Sequence, residues 1–167
     1  MCIRDSYDPE TPPAAGLAAA RMMAMCSYRT PRSLDDRFGR RPSDGDSFEI
    51  ETWLRYHGDA LVERFDAASY VQLTRTMDSH DVGRGRGGIE HALGSLDIPI
   101  LAVAIDSDGL YPPDGQEEIA KLSPLGELGF IHSPHGHDAF LIESVDLDEQ
   151  LRAFRDRVSS YRRRLAS

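Results

Sequence analysis

Two polar stretches late in the sequence hold the residue types that proton transfer needs. Asp106-Ser107-Asp108-Gly109-Leu110-Tyr111-Pro112-Pro113 follows one apolar run, and His132-Ser133-Pro134-His135-Gly136-His137-Asp138-Ala139-Phe140 follows the next. A carboxylate that accepts the Nδ1 hydrogen of an imidazole fixes the tautomer and leaves Nε2 as a general base for a nucleophile above it. The same residues also suit a plainer role, with Asp108 closing a turn before Gly109 and His137 a polar loop residue. His132, His135 and His137 together raise a metal site. No carboxylate or fourth ligand accompanies them at helical spacing, and Pro134 and Gly136 suit a sharp loop equally well, so no metal is expected.

A second candidate lies near the start. Arg21 stands four residues after Leu17 and four before Met25, on what should be an apolar helix side, and Tyr28 follows seven residues later on the same face. An Arg and a phenol projecting into a pocket suit recognition of a small carboxylate, while a snorkelling Arg beside a core Tyr is the structural alternative. Gly-Arg-Gly-Arg-Gly-Gly at 83–88 lacks the Lys-Ser/Thr of a phosphate loop and the repeated Phe of an RNA-binding segment, so it reads as a connector. Arg162-Arg163-Arg164 stands at a helix C-terminus, where the dipole favours cations without any partner.

These residues need elements to hold them. The Ala- and Met-rich stretch 14–28 predicts a helix, entered after Pro12-Pro13 and ended near Pro31. The Pro-, Asp- and Gly-rich stretch 30–47 predicts an exposed loop. Trp53, Leu54, Leu61, Val62, Phe65, Tyr70 and Leu73 recur at helical spacing over 48–77, with breaks expected at Gly58 and near 66–69. A short helix follows at 89–93. The period then changes, because 97–105 is a continuous apolar run enriched in β-branched residues, the mark of a strand buried on both faces. A helix at 116–122, a strand at 127–131 and a helix at 145–165 complete the order. Leu147, Leu151, Phe154, Val158, Tyr161 and Leu165 form one stripe on the last helix. Strand, helix, strand, helix predicts a parallel, helix-covered sheet, and two strands alone are too few for one.

Composition narrows the partners. The 167 residues hold 40% hydrophobic and 28% charged residues with a net charge of −9, and the mean hydropathy is −0.43. That supports one ordinary domain and argues against general nucleic-acid binding. No apolar run approaches the ~20 residues of a membrane span. Cys2 and Cys26 make no disulfide framework, and residues 1–6 lack signal-peptide features, so a reducing cytoplasm is the expected location.

Four segments in order carry a family resemblance: Gly-Leu-Ala-Ala-Ala-Arg-Met-Met-Ala-Met-Cys-Ser-Tyr at 16–28, Tyr-His-Gly-Asp-Ala-Leu-Val-Glu-Arg-Phe-Asp at 56–66, Leu-Thr-Arg-Thr-Met-Asp-Ser-His-Asp-Val-Gly-Arg-Gly-Arg-Gly at 73–87, and Gly-His-Asp-Ala-Phe-Leu at 136–141. Together they resemble the homoserine O-acetyltransferases, acyltransferases of the α/β-hydrolase fold. The resemblance implies a partial α/β-hydrolase fold, with a helical lid region over 7–95 and the C-terminal part of the core over 96–167. Residues 1–6 match nothing in the family and read as a spurious start. It further implies acetyl transfer from acetyl-CoA to homoserine in methionine biosynthesis, through a Ser-Asp-His triad with no bound cofactor. Succinyl-CoA as donor, serine as acceptor, a hydrolase of the same fold and a non-enzymatic helical module remain alternatives. By the likeness Asp108 is the triad acid and His137 the base. Arg21 would hold the homoserine carboxylate, Asp138 its ammonium, and Tyr28 would line the pocket. A homodimer through the lid helices is implied as well. No Gly-x-Ser-x-Gly frame occurs in the sequence, so this polypeptide by itself is expected to be inert and only marginally stable.

Overall fold

A computed structural model describes residues 12–43 and 45–165, with the side chains of Arg162, Arg164 and Leu165 excepted. The expectation for residues 1–6 lies outside the described residues. The chain divides into two compact units. The first holds the described residues up to Ser27 together with Leu34–His80, and the second holds Tyr28–Ser33 and Asp81–Ser167.

The first unit is helical. Helix α1 spans Ala14–Tyr28, α3 Glu49–Val62 and α4 Ala67–Asp78, with α2, Pro31–Phe38, running from the second unit into the first. Leu17, Leu61 and Ala67 form its buried cluster, flanked by Val62, Phe65 and Tyr70. The break expected at Gly58 does not occur. Glycine there lets two helices approach closely, because an added Cβ would lie 3.1 Å from the carbonyl oxygen of Ala18 and 3.2 Å from its Cβ. Tertiary packing outweighs the ~1 kcal/mol that glycine costs in a helix interior. The second break falls at 63–66, ahead of the expected 66–69, and the Asp66 carboxylate caps α4 by accepting from the Ser69 N–H at 2.9 Å.

The loop expected over 30–47 is overturned in its first half by α2. Pro31 is the first residue of that helix, where its fixed φ is favourable and its missing N–H costs nothing. The Thr30 hydroxyl accepts from the Ser33 N–H at 3.0 Å, the usual N-cap bond. Phe38 anchors the other end, 6% exposed with its ring centroid 5.2 Å from that of Trp53. Thr30→Ala is expected to lower unfolding free energy by about 1 kcal/mol, read as a shift of the urea midpoint.

In the second unit, α5 covers Ile89–Gly94, β1 Ile100–Ile105, α6 Pro113–Leu122 and β2 Gly126–Ile131. The strands pair in parallel from Ile100↔Gly126 to Ile105↔Ile131, joined through α6 as a βαβ unit. Burial is uneven along β1, since Ala102, Ala104 and Ile105 are buried while Ile98 lies outside the strand and is 54% exposed. The expectation of burial on both faces thus holds only toward the C-terminal end. Ile105, Ile131 and Ala139 form the buried centre, with Val103 and Leu147 packed against it. A 3₁₀ turn at Gly136–Asp138 and a short helix α7, Ala139–Ile142, precede α8, Ser144–Leu165. The apolar stripe of α8 is only partly covered, for Leu151 and Tyr161 are 48% and 43% exposed. Among the described residues no helix is long and apolar enough to cross a membrane.

Candidate active site

Parallel pairing brings the carboxyl ends of β1 and β2 level, so the two polar stretches that follow them leave the sheet side by side. The Asp106 N–H donates to the Ile131 carbonyl at 3.2 Å, carrying the ladder one residue beyond the strands. The Ser107 hydroxyl donates to the Ser133 carbonyl and accepts from the Gly136 N–H at 2.9 Å. The turn after β1 is thereby tied to the turn after β2 at two points.

Asp108 follows directly, and its two oxygens make both contacts that its sequence context left open. Its Oδ1 accepts from the N–H groups of Leu110 at 2.8 Å and Tyr111 at 2.9 Å, closing the turn. Its Oδ2 is 2.8 Å from His137 Nδ1. The Asp108 side chain is 4% exposed and that of His137 24%. An ionised carboxylate only accepts, so Nδ1 carries the hydrogen and Nε2 of the neutral ring keeps its lone pair. Three rings surround the imidazole at centroid distances of 5.6 Å for Tyr28, 5.1 Å for Tyr111 and 5.4 Å for Phe140. The three rings pack around the imidazole and limit the directions in which it can turn.

A second pair stands beside the first but is open to water. His132 Nδ1 is 3.0 Å from Asp106 Oδ2, with side chains 78% and 44% exposed. The Ser133 N–H foremost, and the His132 side chain next, hold the Asp106 carboxyl below the ordinary carboxylate range. A depressed folded-state value gives stability that is complete above the unfolded-chain value and lost as pH falls through the folded one. Asp106→Asn is therefore expected to flatten the decline of the thermal midpoint below about pH 4, measured by melts between pH 2 and 6.

The remaining sequence candidates divide between the units. Tyr28 belongs to the second and packs on His137. Asp138 is held by Arg29, whose Nε donates to Oδ2 at 2.8 Å. Arg21 is half-buried on α1 in the first unit. The three loop histidines turn Nδ1 to three different partners, Asp106, Ser33 and Asp108. No group of three metal-binding side chains occurs among the described residues. Arg29 and Ser33 stand outside the sequence candidates, Arg29 directly after Tyr28, while Ser107 and Phe140 lie within the two polar stretches but carry no role there.

No protein-family model matches the chain. It is 51% identical over 149 residues to a protein named homoserine O-acetyltransferase from Chlorobaculum tepidum, covering 89% of this chain and 42% of that one. A relative of the same name from Salinibacter ruber is 50% identical over 165 residues, covering 97% and 45%. The chain thus spans less than half the length of these curated relatives. Among solved structures, homoserine O-acetyltransferase from Bacillus anthracis superposes with a TM-score of 0.76 at 19% identity, covering 87% of this chain and 42% of that one. Esterase E22 gives 0.71 at 22% identity, covering 90% and 44%. Both likenesses concern the fold, which is part of an α/β-hydrolase architecture.

Proposed function

We propose that this chain, a homologue of part of the homoserine O-acetyltransferases, carries the acid and the general base of an acyl transfer from acetyl-CoA to the hydroxyl of L-homoserine, a step of methionine biosynthesis. The observation that carries the reading is the 2.8 Å contact of the buried Asp108 carboxylate with His137 Nδ1. In the proposed reaction a serine nucleophile gives its proton to His137 Nε2 as its oxygen attacks the acetyl carbonyl of acetyl-CoA. The proton passes to the departing CoA sulfur, leaving an acyl-serine. His137 then takes the homoserine hydroxyl proton as that oxygen attacks the acyl-serine, and returns it to the serine oxygen as O-acetylhomoserine leaves. Asp108 holds the tautomer throughout and remains ionised. The sequence offers no Gly-x-Ser-x-Gly frame, so the proposed reaction requires a serine and oxyanion donors that these 167 residues do not supply.

On the resemblance, Arg21 holds the homoserine carboxylate, Tyr28 lines the pocket, and Asp138 takes the ammonium while sharing its carboxylate with Arg29. On the same resemblance two copies associate through the lid helices, α1 and α4 among them, on which Met23, Leu73 and Met77 stand exposed.

A chimera tests the reading. The matched segment of the Chlorobaculum tepidum relative is replaced by this chain, and CoA release from acetyl-CoA is followed with and without homoserine. Homoserine-dependent release by the chimera, with none from the 167-residue chain alone, is the expected result. A chimera that cleaves acetyl esters equally fast with and without homoserine would point to a hydrolase and end the transferase reading.

A further inference from the structure

The loop that carries His137 is gripped by a short piece of chain about a hundred residues earlier. Arg29 donates through Nε to Asp138 Oδ2 at 2.8 Å and through Nη1 to Ser33 Oγ at 3.1 Å. Ser33 Oγ lies 2.8 Å from His135 Nδ1, and the Thr30 hydroxyl donates to the Pro134 carbonyl. Gly136, at φ +70°, comes so near the same segment that an added Cβ would stand 3.0 Å from the Tyr28 carbonyl oxygen and 3.1 Å from the Thr30 nitrogen. Residues 134, 135, 136 and 138 each meet the segment, and His137 sits among them. The ion pair is largely withdrawn from water, with side chains 12% and 16% exposed, and Ser33 is 3% exposed. It differs in this from exposed pairs, which contribute little.

We propose that Arg29 is a positioning residue for His137. The guanidinium presents Nε and Nη1 in a rigid planar fork, so one side chain sets the separation of Asp138 from Ser33 and, through Ser33, of His135. The backbone is thereby fixed on both sides of His137, which holds Nδ1 on Asp108. The inference rests on reading Asp108 and His137 as an acid and base pair. It assigns to Asp138 a second duty, as the handle by which the loop is held.

The test uses the 167-residue chain labelled with ¹⁵N-histidine and follows exchange of the His137 Nδ1 proton with solvent by NMR. This signature reports the Asp108 bond and does not depend on turnover. Arg29→Met is expected to speed that exchange about tenfold, a local opening made easier. Asp138→Asn should do the same, and the double variant should go no further than either single one. Arg152→Met, which breaks the exposed pair with Asp148, should leave the exchange unchanged. If Arg29→Met fails to fold, Asp138→Asn, which preserves the side-chain shape, decides on the same scale. Unchanged exchange in the folded variants, or full additivity in the double one, overturns the proposal alone. A wild-type chain with no protected His137 proton overturns the acid and base reading as well.

Discussion

Asp108→Asn in the chimera lowers kcat for acyl transfer by about four orders of magnitude, the loss seen when a triad carboxylate becomes an amide, equivalent to about 5.5 kcal/mol of barrier. The reason lies in how the carboxylate is already committed. Oδ1 accepts from the N–H groups of Leu110 and Tyr111, so the amide of an Asn must place its own oxygen there. Its NH₂ then faces His137, where a second donor replaces the acceptor that Nδ1–H requires. The ring turns to the opposite tautomer and Nε2 becomes a donor, unable to take the serine proton. The turn itself keeps both backbone bonds, so the thermal midpoint should change little. A loss below tenfold, or a loss matched by unfolding, would remove Asp108 from the mechanism.

The second large effect concerns stability. Ile131 is 0% exposed and packs with Ile105 and Ala139, with Val103 and Leu147 around them. Ile131→Ala removes methyl and methylene groups from a fully buried position, so an unfolding cost of about 2–5 kcal/mol is expected. Leu141→Ala is the control, since Leu141 is 64% exposed and its truncation should stay within about 0.5 kcal/mol. Urea denaturation of both variants separates the two, and equal midpoints would show that the centre between β2 and α7 is not where the second unit draws its stability. Ile131 also ends the strand from which the His132 loop departs, so its loss should loosen the site as well as the fold.

Sequence periodicity located most of the elements because the signals were local. Prolines at 12, 13 and 31 bracket α1, and the observed Ala14–Tyr28 follows them. The β-branched run before Asp106 marked β1, and its polar end pointed to the site. Local signals also misled. Pro31 reads as a terminator, yet the same fixed φ that ends one helix begins another when Thr30 caps it. Gly58 reads as a breaker, yet the space it leaves is filled by Ala18 of α1. What no periodicity carries is the partner of a polar group far along the chain. Arg29 and Asp138 are 109 positions apart, and Ser33 and His135 are 102. Their pairing depends on tertiary structure that brings residues 28–33 to the His137 loop.

The assignment of Tyr28–Ser33 to the second unit, while chain on both sides belongs to the first, has a topological consequence. The polypeptide passes between the units at 27/28, at 33/34 and again at 80/81, so a protease that nicks the chain between His80 and Asp81 severs one passage of three. The two products remain joined as long as residues 28–33 of the first keep their bonds to residues 134–138 of the second. Gel filtration after such a cut should return a single species, until Arg29 is prised from Asp138.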